Sequence, residues 1–102
     1  MTGVGIPLKI RVITPKGEAG SALCDSIRLL MSDDENGKNG GSIGIRHGHE
    51  DAVIALSSGP AVGLLNGETV FTADIEGGFA TVKNDLVTIV TDSLVEINTK
   101  LK

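Results

Sequence analysis

The sequence is almost without aromatic residues: it contains no Trp and no Tyr, and Phe71 and Phe79 are its two Phe residues. Proteins that hold single-stranded nucleic acid commonly stack the bases on aromatic rings, which are scarce here. The formal net charge of −4 at pH 7 is also opposite to the basic surface that nucleic-acid binding requires. We therefore expect no nucleic-acid partner, and a core built from Ile, Val and Leu.

Cysteine and long apolar runs are equally scarce. Cys24 is the single cysteine, so it has no partner for an internal disulfide, and we expect it to be a small buried apolar side chain. No apolar run approaches the roughly 20 residues that span a bilayer, and residues 1–5 lack the charged and apolar regions of a secretion signal. The sequence therefore predicts a cytosolic chain without direct membrane insertion, whose membrane association would come through a partner.

Short stretches in which apolar and polar residues alternate predict β-strands rather than helices. Residues 8–12 alternate Leu, Ile and Val with Lys and Arg, and a Pro-Lys-Gly sequence at 15–17 ends this strand. Residues 23–31 are predicted to form one further strand. The polar, Gly- and Asn-rich residues 32–41 are predicted to form a loop.

Two hairpins are predicted from their turn residues. The dipeptide Asn66-Gly67 can adopt positive φ at both residues, as a type I′ turn requires. We therefore expect residues 62–65 to pair with residues 69–73. A second hairpin is expected to join residues 79–82 to residues 86–91.

Glycine-containing interruptions set the expected strand lengths. The Ser-Ser-Gly-Pro sequence at 57–60 and Gly77-Gly78 are expected to separate strands. Short strands recurring about every ten residues predict an all-β fold, a two-sheet antiparallel β-sandwich of about eight to ten short strands. Residues 1–92 would form this domain, and residues 93–102 a short tail outside it with a turn or two of helix at most. Four aliphatic residues on alternating strands are expected in the core: Leu29, Ile45, Val70 and Ile89.

The densest cluster of chemically active side chains is His47, His49, Glu50 and Asp51. Two His residues at positions i and i+2 of a strand face the same side and could chelate a metal ion. In a cupin, a β-barrel family of metal enzymes, a Glu stands three or four residues beyond the second His, and a later strand supplies a third His. This chain has aliphatic residues at the former positions and no third His. We therefore expect no metal site, and a stand-alone metal-dependent β-sandwich enzyme remains the alternative.

No other motif indicates a catalytic or cofactor site. The acidic residues 33–35 lack the spacing of an EF-hand calcium loop. The sequence contains neither a Walker A motif nor a dinucleotide-binding glycine fingerprint. We expect no catalytic residue, no cofactor and no small-molecule ligand, ATP included.

Five segments, in the same order, resemble motifs of the epsilon subunits of F-type ATP synthases. Residues 8–17 (LKIRVITPKG) resemble the family's L-x-I-x-I-x-T-P-x-G, and residues 41–49 (GSIGIRHGH) resemble its G-E-x-G-I-L-P-G-H. Residues 52–59 occupy the place of the strand before its K-P-G turn. Residues 71–82 (FTADIEGGFATV) are similar to F-x-V-x-G-G-F-x-E-V, and residues 83–92 (KNDLVTIVTD) to N-x-V-T-V-L-A-D.

The resemblance implies a non-catalytic central-stalk subunit of the rotor, which links the gamma subunit to the c-ring and couples proton or sodium transport to ATP synthesis or hydrolysis. Its location would be peripheral, at the cytoplasmic face of the cell membrane. The resemblance covers the β-sandwich and not the family's C-terminal helical hairpin, and the loop at 33–40 is longer than the family's. The residues that would contact gamma and the c-ring are Arg46, His47, His49, Glu50, Asp51, Gly77, Gly78 and Phe79. A generic adaptor sandwich with another partner is a third hypothesis.

Overall fold

The computed structural model describes residues 8–32 and 39–99, and this part of the chain is built from strands without any helix. It therefore contains no helix that could cross a membrane. The all-β prediction is confirmed. The strands are β1 (Leu8–Thr14), β2 (Gly17–Cys24), β3 (Ser26–Ser32), β4 (Asn39–Arg46), β5 (Ala52–Leu65), β6 (Glu68–Lys83), β7 (Leu86–Val90) and β8 (Leu94–Thr99).

The strands form two layers that share the long hairpin of β5 and β6. Residues 79–83 of β6 pair with β7, whereas residues 71–75 of the same strand pair with β8. The first layer therefore contains, in order, β2, β1, β7, the C-terminal part of β6 and the N-terminal part of β5. The second layer contains β4, β3, the C-terminal part of β5 and the N-terminal part of β6, with β8 at its edge. This arrangement confirms the predicted two-sheet sandwich.

The described strands pair antiparallel with one exception, which local sequence patterns do not reveal. β1 and β7 pair in parallel, with Ile10 opposite Val87 and Val12 opposite Ile89. Parallel neighbours need a long crossover connection, and the whole of the chain from β2 to β6 supplies it here. This pairing joins β1 to β7, which come first and last along the chain among the strands of this layer.

The strand expected at residues 23–31 is two strands. β2 ends at Cys24, the chain bends at Asp25, and β3 begins at Ser26 in the other layer. Most of β2 was not predicted, because its Gly, Ala, Ser and Glu residues have little intrinsic preference for strands. It forms a strand because it pairs with β1, from Leu8 opposite Cys24 to Thr14 opposite Gly17.

The breaks expected at residues 57–60 and 77–78 are bends within continuous strands. The β5–β6 ladder continues through them, with Leu56 opposite Gly78 and residue 58 opposite residue 76. Gly59, Gly77 and Gly78 have φ values of 139°, 120° and 136°, which residues with a Cβ rarely adopt. We call residues 57–60 together with 76–78 the glycine corner. At this corner the hairpin passes from one layer to the other.

The segment after residue 92 is also part of the sandwich. β8 pairs with β6, with Ala73 opposite Ile97, so the prediction of a tail outside the sandwich with a little helix is wrong for residues 94–99. Ile97 faces Gly20 of β2 across the two layers, where an added Cβ would lie 2.7 Å from its Cδ1 atom. β8 has six residues, of which only two apolar side chains face inward. This pattern is too short to predict that the segment pairs with β6.

The loop expected at residues 32–41 is shorter than predicted. Ser32 is the last residue of β3 and Asn39 the first of β4, and the two are paired. Residues 33–38, which carry the acidic part of the predicted loop, lie outside the described residues. Both predicted hairpins form. Asn66 and Gly67 have φ values of 53° and 83°, as the predicted type I′ turn requires.

The core between the layers is aliphatic, as predicted. Leu29, Ile45 and Ile89 are fully buried and Val70 is 7% exposed, so the four predicted core residues are confirmed. Cys24 is buried as expected, and burial together with the nearby Asp25 carboxylate raises its pKa to about 11. The core residues are Leu8, Ile10, Val12, Cys24, Ile27, Leu29, Ile45, Ile54, Leu56, Ala61, Val70, Phe71, Ala73, Ile75, Ala80, Val82, Val87 and Ile89.

Truncating Ile45 to Ala should lower the free energy of unfolding by about 2–5 kcal/mol, because the side chain is fully buried and leaves a cavity. The matched control is Val53→Ala, because Val53 is 75% exposed on a strand. Its effect should stay within about 0.5 kcal/mol. Urea denaturation of both variants measures the difference, and equal midpoints would show that the strand register is wrong.

Gly78→Ala should cost about 1–3 kcal/mol, because the backbone has positive φ and an added Cβ would collide with the carbonyl oxygen of Val90. Gly44→Ala is the control: Gly44 lies in a strand with ordinary φ, and an added Cβ meets nothing within 4 Å. Thermal and urea unfolding should separate the two variants. A Gly78→Ala protein as stable as wild type would contradict the strained geometry of the glycine corner.

Candidate functional site

Most of the predicted contact residues lie in the connection from β4 to β5, which we call the β4–β5 turn (residues 46–51). Arg46 is the last residue of β4, and its carbonyl accepts a hydrogen bond from the His49 N–H at 3.1 Å. Gly48 has a φ of 83°, which lets the chain reverse between these two residues. The side chains of Arg46, Glu50 and Asp51 are exposed. The turn therefore presents a compact group of charged side chains to solvent.

Asp85 lies in the turn between β6 and β7, and its side chain accepts two hydrogen bonds from the β4–β5 turn. Its Oδ1 atom accepts a hydrogen bond from the Gly48 N–H at 2.8 Å, and its Oδ2 atom accepts one from the His47 Nδ1–H, also at 2.8 Å. Its pKa is lowered, chiefly by the Gly48 hydrogen bond; desolvation opposes this shift, and the hydrogen bond and the charge of His47 each add a smaller lowering effect. The carboxylate is therefore held in its ionised form.

The position of Asp85 follows from a tight turn between β6 and β7. Asn84 and Asp85 have φ values of 52° and 63°, which is the type I′ geometry that suits a two-residue hairpin loop. The backbone carbonyl of Asp85 also accepts a hydrogen bond from the Lys9 N–H at the start of β1, at 3.0 Å. Sequence reasoning did not select Asp85, because its partners His47 and Gly48 are 38 and 37 residues away.

The two His residues do not form the chelating pair that the metal-enzyme alternative would need. Both stand in the turn rather than on a strand, so the rule that places residues i and i+2 on one face does not apply. His47 Nδ1 binds Asp85, whereas the Nδ1–H of His49 donates to the carbonyl of Glu50 at 2.7 Å. Across residues 8–32 and 39–99, no group of three or more His, Cys, Asp or Glu residues is arranged to hold a metal ion. The metal-enzyme alternative therefore gains no support from the geometry.

The remaining predicted contact residues, Gly77, Gly78 and Phe79, lie at the glycine corner in β6. The corner is secured by Thr91, whose buried hydroxyl donates to the carbonyl of Gly77 at 2.7 Å and accepts from the Ser93 N–H at 3.0 Å. Phe79 and Lys83, the last residue of β6, are four residue steps apart along extended strand, or about 13 Å. The structure therefore places the predicted contact residues in two groups rather than one.

Phe79 is part of an apolar row on the outer face of the first layer. It is 44% exposed and pairs on one side with Ala55 and on the other with Val90, which in turn pairs with Ile13. Ile13, Phe79 and Val90 line a surface groove of about 430 Å³ together with the turn between β1 and β2. An apolar groove of this kind is a candidate contact surface.

The outer face of the first layer is basic beside this row. Lys9 and Lys83 both pair with Leu86 across the face, and the Arg11 Nε–H donates to the Thr88 hydroxyl at 3.2 Å. The outward positions of β1, β7 and residues 79–83 hold no Asp or Glu. These segments of the face therefore differ from the chain as a whole, which is acidic, whereas Glu18 of β2 pairs with Ile13 at the edge of the layer.

Comparison with known proteins finds a matching family. Residues 7–97 match the family model described as the ATP synthase delta/epsilon chain, β-sandwich domain. No curated protein sequence matches.

Solved structures share the fold, and two of them are chains of mitochondrial ATP synthase structures that include the c-ring. A chain of the Euglena gracilis mitochondrial ATP synthase, in a cryo-EM structure of OSCP/F1/c-ring in rotational state 1, superposes with a TM-score of 0.69 at 21% identity, covering 92% of this chain and 56% of that chain. A chain of the Tetrahymena thermophila mitochondrial ATP synthase, from its central stalk and c-ring, gives 0.56 at 14% identity, covering 89% and 65%. The chain thus spans less than two thirds of the length of either.

Asp85 should contribute to stability in a pH-dependent way. Because its pKa is lowered in the folded state, its contribution is present above the unfolded pKa of about 4 and is lost as the pH falls through the lower folded value. The free energy of unfolding of wild type should therefore exceed that of Asp85→Asn at neutral pH, and the difference should shrink in acid. Urea denaturation at several pH values measures it, with Asp92→Asn as the control for losing one charge. A pH-independent difference would contradict the lowered pKa.

Proposed function

The chain belongs to the family of ATP synthase delta/epsilon β-sandwich domains, and on that premise we propose that it is a non-catalytic subunit of the central stalk of an F-type ATP synthase. In this role it links the gamma subunit to the c-ring and turns with them, coupling proton or sodium transport to ATP synthesis or hydrolysis. It is peripheral, at the cytoplasmic face of the membrane. The observation that carries the proposal is the family match over residues 7–97.

The solved structures with a similar fold support this role, but only through the fold that they share with this chain. One is a chain of an assembly that contains F1 and a c-ring, and the other is a chain of a central stalk and c-ring. Their identities to this chain are 21% and 14%, so the support is a common fold.

A rotating spacer has to be rigid, and the fold supplies rigidity in two ways. The layers enclose a core of fully buried aliphatic side chains, and densely packed interiors resist deformation. The layers are also connected covalently through β5 and β6, which keep the same pairing register on both sides of the glycine corner. Sliding of one layer over the other would disturb this pairing.

The two groups of contact residues suit two different neighbours. We assign the charged β4–β5 turn to the c-ring and the adjoining part of gamma, since its exposed charges do not belong to the core. We assign the apolar row around Phe79 to gamma, since an apolar patch gains most from being covered by another folded protein. Lys9, Arg11 and Lys83 beside the row fit an acidic partner surface.

The alternatives have less support. A metal-dependent enzyme would use His47 and His49, which have separate hydrogen-bond partners here. A generic adaptor sandwich would share the fold but not the family match. Binding of the purified chain to gamma separates the generic adaptor from the central-stalk subunit.

The proposal predicts that neutralising the β4–β5 turn weakens assembly without unfolding the chain. The variant combines Arg46→Gln, His49→Gln, Glu50→Gln and Asp51→Asn. Because these side chains lie outside the core, its melting temperature should stay close to that of wild type. Its affinity for a purified complex of gamma and the c-ring should fall by about tenfold or more, since charged contacts at an interface are lost.

The control carries the same change of charge on the other layer: Arg28→Gln, Asp74→Asn and Glu96→Gln, all at exposed positions. Its affinity should equal that of wild type. If the turn variant binds gamma and the c-ring as tightly as the control does, the contact lies elsewhere. If wild type itself does not bind, the central-stalk assignment is wrong.

A further inference from the structure

We propose that Asp85 is a positioning residue for assembly: its carboxylate holds the β4–β5 turn in the single conformation that the partner recognises. The proposal rests on the proposed function in that the partner is taken to be gamma with the c-ring. The role is distinct from contact, because Asp85 acts through His47 and Gly48 and not by touching the partner.

The carboxylate is presented from a fixed frame. Asp85 lies in a two-residue turn whose flanking residues, Lys83 and Leu86, are paired. Its backbone carbonyl is bound by the Lys9 N–H of β1 at 3.0 Å. Its backbone is therefore held by three strands of the first layer, and its side chain, 23% exposed, extends from there to the turn.

The turn depends on this carboxylate for its external support. Residues 47–51 belong to no strand. Within the described part of the chain, the two hydrogen bonds that reach these residues from another hairpin both end on Asp85, one per carboxylate oxygen. The same region contains one salt bridge, His47 to Asp85. Without the carboxylate, the backbone hydrogen bond from the His49 N–H to the Arg46 carbonyl remains. This bond and the ends of β4 and β5 would then determine the conformation of the turn.

Loss of this support should weaken binding through disorder rather than through lost contacts. A loop that has to be ordered on binding lowers the affinity, whereas a preformed loop does not. The exposed charges of Arg46, Glu50 and Asp51 are all carried by the turn. Asp85→Ala should therefore reduce affinity although it alters none of these side chains.

The charge of Asp85 gives the proposal a pH signature. A neutral imidazole can donate or accept at Nδ1 according to its tautomer, whereas an imidazolium can only donate. Asp85→Asn keeps the hydrogen bond to the Gly48 N–H, and its amide can pair with neutral His47. It cannot pair with protonated His47 in the same geometry. The other charged groups in the two turns and at the strand ends that hold them are Lys9, Arg46, His49, Glu50, Asp51 and Lys83.

The experiment uses four forms of the full chain: wild type, Asp85→Ala, Asp85→Asn and the control Asp74→Asn. Asp74 is exposed on the part of β6 that pairs with β8 in the other layer, so the control removes the same charge without touching the turn or the groove around Phe79. Amide hydrogen exchange at Gly48 is measured on the isolated chains. Affinity for the gamma and c-ring complex is measured at about pH 8 and about pH 5.5, across the range in which imidazoles take up a proton.

The proposal predicts that Asp85→Ala speeds exchange at Gly48 and weakens binding, each by about tenfold or more. Asp85→Asn should retain most of the affinity at the higher pH and lose it at the lower pH relative to wild type, whereas Asp74→Asn should follow wild type throughout. A purely structural role would lower the melting temperature of Asp85→Ala but leave affinity unchanged below that temperature.

Unchanged exchange at Gly48 in Asp85→Ala would overturn the proposal, and so would faster exchange with unchanged affinity. Failure of the proposed function has a different outcome. In that case wild type does not bind gamma and the c-ring, which also removes the assembly role of Asp85, although the exchange at Gly48 still depends on its carboxylate.

Discussion

The bend of the β5–β6 hairpin at the glycine corner is the constraint on which the rest of the structure depends. Two strands of 14 and 16 residues serve both layers because the backbone adopts positive φ at Gly59, Gly77 and Gly78. β5 and β6 stay paired on both sides of the bend. The tip of the hairpin at residues 65–68 and its open end at residues 52 and 83 therefore lie towards the same end of the sandwich. Residues 71–75 of β6 thereby pair with β8, and residues 79–83 with β7. The enclosed aliphatic core follows from this folding over.

The same bend separates the surfaces that the proposed function uses. The apolar row around Phe79 begins at the corner, and the β4–β5 turn lies near the far end of β7, where Asp85 binds Gly48 and His47. A spacer between two neighbours needs two surfaces at a fixed distance. Here the distance is set by hydrogen-bonded strands rather than by flexible loops, and the turn at one end is secured by a carboxylate whose pKa is lowered by the hydrogen bonds it accepts.

Local features could be predicted from the sequence, and features created by distant pairing could not. The Asn66-Gly67 turn, β1 and the four core residues follow from alternation and from turn chemistry. β2 and β8 have weak strand patterns of their own and form because β1 and β6 offer them an edge. Glycines were expected to end strands, but glycine equally permits a bend within a strand. The contact of Asp85 with the β4–β5 turn joins residues 37 and 38 positions apart, for which no local pattern exists.

The most direct test of the account is a cryo-EM structure of the ATP synthase purified from cells that carry a tagged form of this chain. The account predicts one copy of the sandwich in the central stalk, with the β4–β5 turn against the c-ring and Phe79 covered by gamma. It also predicts that the Asp85 carboxylate is still bound to Gly48 and His47, since a preformed turn should not rearrange on assembly. A complex without the chain would contradict the proposed function. A complex in which the turn faces solvent would contradict the assignment of its surfaces.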